Sequence, residues 1–189
     1  MKMVAVSGSP RSGGNTERAC DIAFEPLRRA GIETELISLA GKNIGPCIAC
    51  GGCAKAARCV AHEDDFDAIL PAIKAADGLI LASPVYFGCA TGPICNFMHR
   101  LGYVARKSEN FLARKPGGAI AVARRAGMNA TFAQLSMFFT INDMIQVGST
   151  YWNVARARDI GDIDRDEEAV QTLTRFGENL AWILPKLNA

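Results

Sequence analysis

The chain has 189 residues, of which 49% are hydrophobic and 21% charged. That composition excludes a disordered chain and gives room for one α/β domain, which would hide roughly 70% of its extended surface on folding. A net charge of +2, from 21 basic and 19 acidic residues, gives no basis for nucleic acid or an anionic membrane as partner.

No apolar run approaches the roughly 20 residues a spanning helix requires, and the N-terminal one is too short for a signal peptide. Lys2–Ser7 is a short β-branched run and predicts a buried strand. Gly8–Gly14 is rich in glycine, serine and proline, and a helix starts near Asn15 or Thr16, both good N-cap types. Its apolar stripe is Ala19, Ile22, Ala23 and Leu27. Pro26 is expected to kink it or end it early, and Gly31 to close it. Glu33–Leu39 reads as strand two. After a cysteine-bearing loop at about 45–61, Asp64 and Asp65 cap a helix to Ala76 with Phe66, Ile69, Leu70 and Ile73 inward. Gly78–Ala82 is strand three, ending at Ser83-Pro84. Thr91–Ala105 is helical, Gly118–Ala123 is strand four, Thr131–Thr140 is helical and Met144–Val147 is strand five. Asp166–Leu187 forms the last helix, with Ala169, Leu173, Phe176, Leu180 and Leu184 on one face and acids in its first turn, as the helix dipole favours.

Short apolar strands alternating with helices imply a parallel sheet covered on both faces. Five strands suggest the order 2-1-3-4-5, in one domain spanning 1–189 with an inserted cysteine loop. Ligands of such sheets bind beyond the carboxyl ends of the strands, at the switch in winding. The chemistry is therefore expected in the loops after strands one, three and four.

The loop Ser7-Gly8-Ser9-Pro10-Arg11-Ser12-Gly13-Gly14-Asn15-Thr16 joins a strand to a helix N-terminus. Free N–H groups, hydroxyls and the Arg11 charge suit a terminal phosphate. The loop has no lysine for a triphosphate and fits neither common nucleotide-loop pattern, which argues against a kinase or ATPase. Ser83-Pro84-Val85-Tyr86-Phe87-Gly88 leaves strand three, where aromatics beside glycine can lie along a flat ring. After strand four, the loop holding Arg124, Gly127 and Asn129 offers a weaker polar edge. With only His62 and His99 as histidines, no hydrolytic triad can be assembled.

Seven cysteines form no even framework, and free thiols fit a reducing cytoplasm. Four of them, Cys47, Cys50, Cys53 and Cys59, follow the pattern C-x2-C-x2-C-x5-C. Such crowding in one segment suits a [4Fe-4S] cluster. Zinc, whose structural sites use two separated pairs, and four free thiols are the other two readings.

Taken together, these segments resemble the iron–sulfur flavoprotein family, within the NAD(P)H-dependent FMN reductases of flavodoxin-like fold. Gly8-Ser9-Pro10-Arg11 with Gly14-Asn15-Thr16 is similar to the family's FMN phosphate loop. Ser83–Gly88, running on to Phe97-Met98-His99-Arg100, is similar to its flavin-ring segment, although relatives typically carry Asp where His99 stands. The cysteine spacing matches its cluster motif. The loop Ala126-Gly127-Met128-Asn129 departs from the Gly-Gly-Gln-Glu common in relatives.

The resemblance implies FMN held by Ser9, Arg11, Asn15 and Thr16 at the phosphate, by Pro84, Val85, Tyr86, Phe87 and Gly88 along the ring, and by Arg124, Gly127 and Asn129 at the far edge. It implies a [4Fe-4S] cluster on Cys47, Cys50, Cys53 and Cys59, a homodimer or homotetramer, and NAD(P)H or a ferredoxin-like protein as electron donor. No side chain is assigned as a catalytic acid or base. The alternative is an NAD(P)H-dependent FMN or quinone reductase without a functional cluster.

Overall fold

A computed structural model describes residues 1–188. Strand β1 (Lys2–Ser7) pairs in parallel with β2 (Glu33–Ser38) on one side and β3 (Gly78–Pro84) on the other. Next comes β4 (Pro116–Ala123), then β5 (Ile145–Gln146), giving the expected order 2-1-3-4-5. A further strand, β6 (Val154–Arg156), also pairs in parallel with β4. The far edge is thus broken: β5 covers Pro116 and Gly117, β6 covers Ala121–Ala123, and the chain bulges out between them.

Side chains alternate across each strand, so two cores form. Val4, Val6, Leu79 and Leu81 face α3 (Phe66–Ala75), α4 (Gly92–Lys107) and α5 (Met128–Ile141). Met3, Ala5, Ile80, Ala82, Ile120 and Val122 face α1 (Asn15–Arg29) and α6 (Glu167–Leu187). The expected stripe of α6 is buried throughout, and each fully buried Leu or Phe in it contributes about 1.5–3 kcal/mol. The Asp166 carboxylate accepts from Ala169 N and caps α6.

Two expectations need correction. Pro26 does not end α1 early, since the helix continues to Arg29. The proline sits in the last turn, where it removes one backbone bond, and its ring packs beside Gly177 of α6. There the helices pass so closely that a Cβ on Gly177 would lie 2.1 Å from the Ala23 carbonyl oxygen. Asp64, not Asp65, bonds the start of α3, accepting from Phe66 N at 3.1 Å. Asp65 accepts instead from Asn43 N. Gly31 closes α1 as expected, at φ +75°.

Candidate functional site

The loop after β1 is fastened to its neighbours before it reaches α1. Gly8 N donates to the Ala82 carbonyl of β3 at 2.8 Å, and Thr91 Oγ1 donates to the Gly8 carbonyl at 2.7 Å. Only glycine fits there, since a Cβ on Gly8 would lie 2.5 Å from Ile94 Cβ. Ser9 Oγ accepts from Arg11 N and bonds the Arg11 carbonyl, each at 3.1 Å, which rolls the chain into a tight turn. Gly13 takes φ +67° and donates its N–H to Glu17 Oε2 at 2.7 Å. Gly14 then enters α1 with no side-chain cap, so the first-turn N–H groups stay open to a ligand. Arg11 is exposed and has no ion pair among the described residues. This arrangement fits a phosphate monoester.

A cavity of about 400 Å³ opens above this loop at the carboxyl ends of β1, β3 and β4. It gathers Ser9, Arg11, Asn15 and Thr16 from the first loop, Pro84, Val85 and Tyr86 from the second, and Arg124 from the third. Four other candidates lie outside its wall. Phe87 is fully exposed, and Gly88 follows it in a two-residue hairpin closed by Tyr86 N to the Cys89 carbonyl and Cys89 N to the Tyr86 carbonyl. Gly127 stands behind Val85 and Gly88. Asn129 lines an apolar groove with Phe132 and Met137 of α5 and with Trp152, which precedes β6.

The sequence reading missed one wall of the cavity. Ala157, Arg158, Asp159 and Ile160, just beyond β6, close it on the side of α1. Asn15 holds that wall: Nδ2 donates to the Asp159 carbonyl, and Oδ1 accepts from Gly161 N and Ile163 N. Its side chain is thus spent on the wall, and the backbone N–H of its turn is what faces the phosphate loop. A second cavity of about 730 Å³ adjoins the first through Arg124, Ala157 and Arg158. Its far side carries Arg156, Arg165 and the packed pair Tyr151–Trp152, whose ring centroids are 5.1 Å apart. Asp162, Asp166, Glu167 and Glu168 also line it.

The four clustered cysteines border the same hollow without closing on one point. Cys47, Cys50, Cys53 and Cys59 line one small hollow of about 20 Å³, with Arg100, Tyr103 and Val104 of α4 as its floor. Three left-handed residues, Ala49, Gly51 and Ala57, wrap the segment, and a short helix, α2 (Cys53–Ala56), carries the third sulfur. A Cβ on Gly52 would lie 2.3 Å from Val60 Cγ2, so the wrap has no slack. Among the described residues, no three His, Cys, Asp or Glu side chains close on one point as a single-ion site requires. His62 is engaged elsewhere, with Nε2 2.7 Å from the Pro46 carbonyl oxygen. Burial pushes the Cys53 thiol up, and the neighbouring Cys50, Cys47 and Cys59 push it further.

Beneath the hollow lies Arg100, completely buried. Its Nε donates to Cys59 Sγ at 3.2 Å, and its Nη1 donates to Asp64 Oδ2 at 2.6 Å and to the Gly45 carbonyl at 3.3 Å. Its guanidinium lies over the Phe66 ring, 4.3 Å from the centroid. A set of four thiols over a buried cation suits an anionic, thiolate-ligated group.

Comparisons with known proteins bear on the family and the fold. Residues 1–159 match the model of the NADPH-dependent FMN reductase family. An iron–sulfur flavoprotein of Methanocaldococcus jannaschii is 37% identical over 97% of this chain and 97% of its own. One from Methanosarcina thermophila is 35% identical over 97% and 95%. A WrbA-like flavodoxin structure from Agrobacterium tumefaciens superposes with a TM-score of 0.65 at 17% identity, over 98% of each chain, and establishes the flavodoxin-like fold. The chain belongs to the NADPH-dependent FMN reductase family, in its iron–sulfur flavoprotein group, and is a flavoprotein oxidoreductase.

Proposed function

We propose that the protein relays electrons between FMN in the cavity at the strand ends and a [4Fe-4S] cluster on Cys47, Cys50, Cys53 and Cys59. The observation that carries this reading is that all four cysteines of one compact segment line the same hollow, in a chain that also has an open phosphate loop. Their crowding in one C-x2-C-x2-C-x5-C segment favours a [4Fe-4S] cluster over zinc, whose structural sites use two separated pairs.

When bound, the flavin supplies hydride and one-electron chemistry, and the cluster supplies one-electron steps. The protein's own residues bind and orient. Ser9, Arg11, Thr16 and the open N–H groups of α1 hold the phosphate, while Asn15 fixes the wall at 158–161. Pro84, Val85, Tyr86 and Arg124 line the cavity that would take the flavin ring, with Phe87, Gly88, Gly127 and Asn129 in the loops around it. No side chain here needs to move a proton for hydride transfer.

Copies of the chain are proposed to pair through α5, which has no charged residue from Met128 to Ile141 and exposes Met137 and Ile141. Seven free cysteines suit a reducing cytoplasm. A ferredoxin-like donor is the proposed electron source. The second reading is direct oxidation of NAD(P)H by the flavin, favoured by the cavity of about 730 Å³ that opens onto the flavin pocket through Arg124 and Arg158.

Anaerobic purification with iron, sulfide and flavin quantification tests the first reading. Cys50→Ser should abolish iron and leave FMN bound, whereas Arg11→Ala should weaken FMN and leave iron. Equal effects on both groups from both variants would refute the division between the two loops. Stopped-flow mixing with NADH and NADPH tests the second: fast bleaching of the flavin supports it, and no bleaching leaves the protein carrier as donor.

A further inference from the structure

Among the described residues, Arg100 is the one cation wholly inside the fold, with no exposed side-chain area, and the Asp64 side chain beside it is 3% exposed. Burying such a pair is costly, and replacing it with apolar side chains is often neutral or stabilising. Stability therefore does not account for it. The donor inventory points elsewhere. A guanidinium has five N–H groups. Three are used, by Cys59 Sγ, Asp64 Oδ2 and the Gly45 carbonyl. Both protons of Nη2 are left over: this nitrogen is buried and has no hydrogen-bond partner. An unpaired buried polar group costs about 1–3 kcal/mol, and more when charged. Arg100 lines the cysteine hollow, so the hollow's occupant is the available acceptor.

We propose that Arg100 is a positioning residue for the cluster: it anchors the Cys59 sulfur, offers Nη2 to the cluster, and sets the cluster's potential through its buried charge. The inference rests on the iron–sulfur reading above. The reasoning is electrostatic. Each electron accepted adds one negative charge to a group already ligated by thiolates. A fixed cation and N–H donors at the sulfurs stabilise that extra charge and raise the potential, which hydrogen bonding and net charge are known to tune. Asp64 works against this. Its carboxylate partly cancels the guanidinium, while orienting it by the 2.6 Å bond and accepting in turn from Gly45 N and Phe66 N. The Phe66 ring holds the guanidinium plane from one side. Lysine would not substitute, because it lacks the planar fork that reaches Cys59 and Asp64 together.

Removing the two partners should therefore move the potential in opposite directions, which a purely structural pair would not do. The test is a redox titration followed by the cluster's own EPR signal, on anaerobically reconstituted full-length protein that retains FMN. Arg100→Gln is expected to lower the potential, shifting the reduced-to-oxidised ratio at a fixed poise by about tenfold, or about 59 mV for one electron. Asp64→Asn is expected to raise it. Shifts of the same sign, or no shift with iron and sulfide still bound, would overturn the proposal. If Asp64→Asn loses FMN as well as iron, the Arg100 variants decide alone: a fall in potential sustains the inference, and an unchanged or raised one ends it. If Arg100→Gln does so, Arg100→Lys replaces it, with a smaller fall expected. Wild-type protein that takes up no iron and sulfide would instead overturn the cluster reading itself, and this inference with it.

Discussion

Asn15 and Asp159, separated by 144 positions, are joined by a 2.8 Å hydrogen bond from Asn15 Nδ2 to the Asp159 carbonyl. Asn15 Oδ1 accepts from Gly161 N at 3.0 Å and Ile163 N at 3.4 Å. One side chain at the start of α1 therefore pins the loop that walls the cavity.

Asn15→Ala removes all three bonds without altering the phosphate loop's backbone. The expected result is a loosened wall and FMN affinity reduced by about tenfold, or about 1.4 kcal/mol, with the iron content unchanged. Fluorescence titration of apo-protein with FMN checks the affinity. Unaltered affinity would mean that the wall contributes nothing to binding.

Gly127 is the close-approach point between the loops after β3 and β4. Its φ is +90°, and a Cβ there would lie 2.9 Å from Val85 Cγ1 and 3.3 Å from Gly88 Cα. Gly127→Ala combines a left-handed backbone cost of about 1–2 kcal/mol with that steric contact. Urea denaturation should show destabilisation of about 1–3 kcal/mol. Adding Val85→Ala should recover the steric part relative to Val85→Ala alone and leave the backbone part, a pattern that a double-mutant cycle resolves.

Much of this was legible in the sequence. The strands β1, β3 and β4 are apolar on both faces and need no context, and α6 advertises its stripe and caps. The phosphate loop and the cysteine spacing are local, so they could be read from the sequence directly. What escaped notice depends on partners. Val154–Arg156 is three residues long and becomes a strand only because the edge of β4 beyond Gly117 is unpaired by β5. The wall at 157–160 follows from it, and so does the role of Asn15. The place of Arg100 under Cys59 depends on α4 packing against the cysteine loop, which brings together residues 41 positions apart.

Asp64 predicts an acid limit. Burial alone would raise its carboxyl, but the bonds from Arg100, Gly45 N and Phe66 N together outweigh burial and hold it below the ordinary carboxylate range. A depressed folded value means stabilisation that is present above the unfolded value, about pH 4, and lost as pH falls through the folded one. Asp64→Asn should cost about 3–5 kcal/mol at pH 7 by leaving a buried guanidinium without its counter-ion. The gap from wild type should narrow below about pH 4. Denaturant unfolding of the iron-free, reduced protein from pH 7 to pH 3 checks the trend. A gap that stays constant across that range would show that Asp64 does not titrate with folding.

Phe87 and Gly88 form the two-residue tip of the hairpin between Tyr86 and Cys89, at φ +51° and +85°. Two left-handed positions in succession favour Asn-Gly, and a bulky aromatic in the first is strained. The Phe87 ring is fully exposed, so no packing within the chain offsets the strain. Strain retained at the rim of a ligand pocket points to a function outside the chain's own fold. Phe87→Asn should therefore stabilise the protein by about 0.5–1 kcal/mol, raising Tm by roughly 2–4 °C per kcal/mol for a chain of this size. The same substitution should slow electron transfer to an added acceptor while the FMN content stays near wild type. Differential scanning fluorimetry and steady-state turnover on one preparation separate the two effects. A variant that gains stability and keeps full turnover would show the exposed ring to be dispensable.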